Sequence, residues 1–232
     1  RGLLRNISAE RVFTELSGLL TGRKSGGNIR RVLTQFRDIL AEVVPEFRAG
    51  FDFEQHSRFH CLDVYQHLLV SAEAAARIAP GELPLALAML LHDIGKPERF
   101  ALDESGEGHF YGHAQVSADI ADSVLRRLRT STALREQVCE IVRYHDIPLP
   151  ENDRQFRRML SKHGEELSRD IAMAHIADDM AKKPECLPRC EDWRRLIARI
   201  PEMAQGSCLS VKSLAVDGRA LSGIVPPSPL MG

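Results

Sequence analysis

The sequence predicts an all-α chain. Helical periodicity runs through most of its 232 residues, strand-like alternation is scarce, and no Asn-Gly hairpin signal occurs. Aromatic residues make up only 6% of the chain, too few for the aromatic and β-branched faces of a large sheet. Hydrophobic residues at 44% and charged residues at 27% are ordinary for a globular protein and sufficient for a buried core. A net charge of -1 gives no global attraction to nucleic acid or membrane, so any basic patch is local.

The elements follow in order. Ser8 is placed to cap a first helix, AERVFTELSGLL, whose Val12, Leu16, Leu19 and Leu20 form one stripe. TGRKSGGN then breaks the pattern; its Gly, Lys and Ser are not in P-loop order, so it reads as a turn. IRRVLTQFRDILAEVVPEF reads as one amphipathic helix with Val32, Phe36, Ile39, Leu40 and Val43 inward, and FRAGFDFEQHSRFH as a connector. A helix is expected from about Leu62 to Ala79, then PGELP, then the apolar helix LPLALAMLLHD. ESGEGH is a loop between that helix and HAQVSADIADSVLRRLR, which ALREQVCEIVRYHD follows. PLPEND is the next break, and LSRDIAMAHIADDMAKK and DWRRLIARIPEMA are the last helices before a Pro-rich end. No stretch approaches the roughly 18 apolar residues of a membrane span. Five scattered cysteines suggest reduced thiols in a cytosolic protein. Cys186 and Cys190 could form half a zinc site, but no second pair at finger spacing follows.

His92 and Asp93 close the apolar helix, and Gly95 and Pro97 end it. Adjacent helical residues point about 100° apart. They can share an ion only at a helix end or in a seam between helices, which Gly95 and Pro97 make available. His67, His113, His145 and Asp178 are further candidate ligands in or beside apolar runs on other helices. An unpaired polar group in such a place is costly. Mixed imidazole and carboxylate ligands suit Mn, Fe, Ni, Co or Zn, with Mg favoured only where oxygen dominates. One ion would activate water and polarise a phosphoryl oxygen; two could brace both attacking and leaving oxygens. Lys96 follows the pair closely, either to stabilise phosphate charge or as a solvated helix-end lysine. Periodicity does not separate Asp178 from Asp179, and His56, His60, His109, His163 and His175 are read as structural or surface residues.

His67, His92-Asp93 and Asp178, in that order, resemble the H…HD…D signature of the HD superfamily of metal-dependent phosphohydrolases, as do LLHDIGK, GHAQVSA, VRYHD and IADDMAKK. The resemblance implies an HD-domain helical bundle with flanking helical segments. It implies metal ligation by His67, His92, Asp93 and Asp178, chosen over Asp179 because it follows Ile-Ala. Some branches place two further histidines where His113 and His145 stand, for a second ion. Asp93 and Lys96 are then the expected catalytic residues.

NISAERVFTELSGLL, VVPEF and FDFEQHSRFHCLDVYQHLLV resemble the post-catalytic half of bacterial CCA-adding tRNA nucleotidyltransferases. The C-terminal LSVKSLAVDGRALSGIVPPSP resembles that family's body-to-tail segment through Leu214, Gly218 and Leu221, with Ala220 replacing an acidic residue. This divides the chain into a body-type, RNA-binding segment (1–50), an HD domain (51–190) and a truncated helical tail (191–232). The family's glycine-rich nucleotide loop, paired-carboxylate strand and base-selecting acidic-and-arginine pair are not found in these residues, so nucleotidyl transfer is not expected of them alone. The starting Arg1 and the ending PLMG suggest a fragment. The expected activity is hydrolysis of phosphomonoesters or 2′,3′-cyclic phosphates in the cytoplasm, on a small nucleotide or a tRNA 3′ end. A stand-alone HD nucleotidase or phosphodiesterase and a non-catalytic tRNA-binding scaffold are the alternatives. Candidate phosphate contacts are Arg30, Arg31, Arg126, Arg127, Arg129, Arg157, Arg158, Arg194 and Arg195, most of them expected on solvated faces. Trp193 could stack on a base, though a lone helical Trp more often fills core.

Overall fold

Helix α5, Leu83–Leu91, has no polar face, and every residue from Leu85 to Leu91 is buried. A helix apolar all round must be surrounded, and α5 packs against α4 (Val64–Ile78), α7 (Thr132–Tyr144) and α8 (Asp153–Met180). The computed structural model describes residues 7–21 and 28–205. The C-terminal match at Leu214, Gly218 and Leu221 lies outside them, as does most of TGRKSGGN.

The chain is all-α, as the periodicity predicts. The remaining helices are α1 (Ala9–Leu20), α2 (Ile29–Gln35), α3 (Arg37–Val43), α6 (His113–Arg127) and α9 (Pro188–Gln205). Side-chain caps fix several starts: Ser8 accepts from Arg11 N–H at 3.3 Å, Asp63 from Gln66 N–H at 2.8 Å and Asn152 from Gln155 N–H at 3.0 Å. The expected loop ESGEGH is part strand: its Gly108–His109 forms β2, paired antiparallel with β1 (Ala101–Leu102).

One core unites α1 and α2 with the bundle, through Leu16, Leu20, Ile29 and Leu33 beside Leu68, Leu87 and Leu90. A second apolar cluster lies between α8 and α9, where Phe156, Leu160 and Ile176 meet Trp193, Leu196 and Ile200. Helix α8 is kinked at Gly164, whose φ of 73° is left-handed backbone that glycine adopts without a Cβ penalty.

The expected single helix from Ile29 does not form. It breaks at Phe36, and a 3-10 turn, Pro45–Gly50, follows α3. The Tyr65 hydroxyl donates to the Leu33 carbonyl at 3.0 Å, the acceptor Arg37 N–H would use in a continuous helix. Part of the expected inward stripe turns outward with the break: Phe36 is 46% and Ile39 48% exposed, whereas Val32, Leu40 and Val43 stay half-buried, the last two against the core, and Ile29, Leu33, Ala41 and Val44 are buried.

Candidate metal centre

Five elements converge at the C-terminal end of α5. His67 comes from the first turn of α4, His92 and Asp93 from the end of α5, His113 from the first residue of α6, His145 from the end of α7 and Asp178 from the last turn of α8. All six are buried. Gly95 lets the turn after Asp93 close against α6: its N–H donates to Ser117 Oγ at 3.0 Å, and a Cβ there would stand 2.7 Å from the Ser117 backbone nitrogen.

Asp93 stands in the middle. Its Oδ2 lies 3.3 Å from His67 Nε2, 3.2 Å from His92 Nε2 and 2.6 Å from Lys96 Nζ. Its Oδ1 faces the other way, 3.1 Å from His113 Nε2 and 3.5 Å from His145 Nε2. Asp178 Oδ1 is 3.0 Å from His67 Nε2, and Asp178 Oδ2 pairs with Lys182. The neighbouring Asp179 is turned away, bound by Arg189.

The backbone sets the imidazoles. Nδ1 of His92, His113 and His145 contacts the carbonyl three residues earlier, Met89 O at 2.8 Å, Phe110 O at 2.9 Å and Val142 O at 2.6 Å. A carbonyl only accepts, so each Nδ1 carries a proton and each Nε2 is left to face the centre, the arrangement of metal-binding histidines. There nitrogen meets nitrogen: His92 and His67 at 3.3 Å, His113 and His145 at 3.2 Å. His113 and His145, both held at Nδ1 by carbonyls, need a cation, a proton or a metal ion, between them, whereas His67 Nδ1 has no partner and its Nε2 can either donate or offer a lone pair. Asp93 Oδ1 and Asp178 Oδ1 are buried and accept no aligned hydrogen bond. This donor set fits a divalent ion.

The chain's own cations hold these charges. Burial would raise the Asp93 carboxyl, but the charges of His92 and Lys96, with His113 and His145 alongside, hold it well below the usual carboxylate range. Asp178 is likewise held low against burial by Lys182 and His67. Burial pushes His92 down, yet Asp93 and Asp178 outweigh it and hold the imidazole up to about 9. Lys96 is not a solvated helix-end residue; it is buried, with Nζ 2.8 Å from Gln55 Oε1.

Two groups can each hold an ion, and they share Asp93: His60, His67, Asp93 and Asp178 in one, His92, Asp93 and His145 in the other. His60 is the residue the sequence reading left out. It sits in the connector, where no period marks it, with its ring 4.9 Å from that of His67 and its Nε2 3.5 Å from Lys96 Nζ. Among the described residues, no such group includes Cys186 or Cys190, which are buried thiols. Trp193 is buried and stacks on His175 at 4.0 Å, filling the second cluster. Several candidate RNA-binding arginines are paired: Arg126 with Asp122, Arg127 with Glu46, Arg129 with Glu10, and Arg194 and Arg195 with Glu191.

The HD domain profile matches residues 64–199, which carry all six converging residues. The chain belongs to the HD domain family. HD domains bind divalent metals, and the two clusters are placed to do so. Relatives of this HD chain include an A-adding tRNA nucleotidyltransferase from Deinococcus radiodurans, 34% identical over 75% of this chain. A CC-adding tRNA nucleotidyltransferase from Thermus thermophilus is 33% identical over 75%, and a multifunctional CCA protein from Azoarcus is 34% identical over 63%. The chain spans only 40%, 40% and 34% of the lengths of these three relatives. No helix among the described residues is long and apolar enough to cross a membrane.

Proposed function

We propose that this HD domain is a metal-dependent phosphohydrolase acting on phosphomonoesters or 2′,3′-cyclic phosphates, as a module of a tRNA nucleotidyltransferase-type protein. The supporting observation is the set of inward-facing Nε2 atoms around Asp93, whose Oδ2 faces His67 and His92 and whose Oδ1 faces His113 and His145.

His67, His92, Asp93 and Asp178 would hold the first ion, and His113 and His145, with Asp93 between, a second. The nitrogen-rich set favours Mn, Fe, Ni, Co or Zn over Mg. A divalent ion there would supply Lewis-acid polarisation of a phosphoryl oxygen and lower the pKa of water. The chain's own residues do the rest. Buried carbonyl-bound imidazoles keep the ligand nitrogens oriented, and Asp93 holds the Lys96 ammonium at the edge of the centre. Lys96 would stabilise negative charge on the phosphoryl group as water attacks phosphorus and the ester oxygen leaves with a proton. A cyclic phosphate would open to a monoester by the same exchange of bonds. The names of the relatives support a tRNA 3′ end as the macromolecular substrate, with a small nucleotide as the free counterpart.

The test pairs metal analysis of the purified chain with hydrolysis of a nucleoside 2′,3′-cyclic phosphate in Ni, Mn or Mg. Stoichiometric metal and turnover that vanish in His92→Ala and in the near-isosteric Asp93→Asn are expected. Turnover unchanged in both variants, or a parent without metal or turnover, would overturn the reading.

A further inference from the structure

We propose that the turn Ser57–His60, with the segment joining α8 to α9, forms a nucleotide subsite at the mouth of the centre: Phe59 stacks a base and Lys183 takes the adjoining phosphate. The proposal rests on the hydrolytic reading above and names what that site would hold beyond the reacting phosphate.

Two tethers locate the subsite. Phe59 immediately precedes His60, whose ring lies against His67. Lys183 immediately follows Lys182, which pairs with Asp178. The two strands of chain are bonded together: Lys183 N–H donates to Phe59 O at 3.0 Å, and Lys183 Nζ donates to Arg58 O at 2.8 Å. Both segments therefore border the centre, and each fixes the other.

Phe59 is a large apolar side chain left 39% exposed beside a polar site. The Arg58 guanidinium lies 4.7 Å from its ring centroid, and that of Arg189 lies 5.9 Å away. An exposed aromatic face flanked by guanidinium planes suits a nucleobase, which stacks on either surface. Arg189 is committed to the buried Asp179. Arg58 is 72% exposed and meets Glu107 only at 3.6 Å, so it can move aside for a base. Lys183 Nζ has given one hydrogen to a carbonyl and pairs with no carboxylate among the described residues, leaving donors for a phosphate.

Charge favours this side of the turn. The neighbouring cavity of about 720 Å³, which Ser57 and His60 line but Phe59 and Lys183 do not, has Asp52, Glu54 and Asp63 in its wall, which repel a polyanion. A base joined to phosphate is the chemistry that Phe59 and Lys183 fit, whether in a free nucleotide or at the end of an RNA chain.

The test measures binding by calorimetry, with a nucleoside 3′-monophosphate and a short RNA bearing a 3′-phosphate as probes. Phe59→Ala and Phe59→Leu are expected to weaken both probes about tenfold while Phe59→Trp retains parental binding, because stacking needs a π face. Lys183→Gln is expected to weaken the RNA more than the mononucleotide, with a loss that shrinks as salt rises. RNA binding far tighter than mononucleotide binding marks a chain end as the ligand; equal binding marks the free nucleotide. Phe59-dependent binding without any turnover would uphold the subsite and sink the hydrolytic reading. Parental binding in the Ala and Leu variants, an equal loss in the Trp variant, or no binding by the parent would overturn the subsite.

Discussion

His92 and His175 are both packed into the interior, yet their surroundings drive them in opposite directions. His92 has two carboxylates beside its Nε2 and is held up to about 9. His175 lies under Trp193 with a buried Nε2 that has no hydrogen-bond partner, and burial pushes it down to about 3 despite the charge of Asp178. Burial alone therefore does not make a ligand. Carboxylates that face Nε2 distinguish the first histidine from the second.

The contrast is most exposed at Asp93. Asp93→Ala leaves Lys96 buried without its counter-charge and His92 with Asp178 alone, and removing one partner of a buried ion pair costs about 4 kcal/mol. Chemical denaturation should show that loss in metal-free protein, and metal analysis should show both ion positions lost. Full metal content in this variant would refute the shared role of Asp93. Trp193→Ala should cost about 3 kcal/mol by opening a cavity in the second cluster. Its folded fraction should keep parental metal stoichiometry, whereas metal loss would make the second cluster part of the centre.

His175 gives a pH-dependent difference. The folded state keeps it neutral to about 3, while the unfolded chain protonates below about 6.5. Its contribution is present in full above about 6.5 and is lost as pH falls from there toward 3, by at most about 1.4 kcal/mol per pH unit. Urea unfolding at pH 7, 6 and 5 should therefore give a flatter profile for His175→Phe than for the parent. Parallel profiles would show that His175 is already free to charge. The smallest expected effect is Gln55→Ala, which removes one acceptor from Lys96 and should cost about 1 kcal/mol in metal-free protein. No change in its denaturation midpoint would mean Asp93 alone holds the ammonium.

What the sequence made legible follows the same division between local and distant causes. Helix α1 and its Ser8 cap, the all-round apolar α5, and the helix-end position of His92-Asp93 are local patterns, and each appears in the structure where the pattern put it. The order His67, His92-Asp93, Asp178 is readable because the family resemblance is strong, although periodicity alone left Asp178 and Asp179 alike. The break at Phe36 was not legible, because its cause is a hydroxyl from Tyr65 on another helix. His60 was not legible either: it lies outside any periodic element and meets His67 and Lys96 only after the connector folds back. Gly95 could have been read as more than a helix terminator had its close approach to α6 been foreseeable.

Lys96 and Lys182, placed on Asp93 and Asp178, bear on the protein's biogenesis. A nascent chain that brings its own cations to its buried carboxylates has no need to wait for a metal in order to mature. Loading then becomes a late, separate event, in which an arriving ion competes with two tethered ammonium groups and the identity of the resident metal reflects supply at that moment. A folded form without metal is one that such a molecule can hold in reserve.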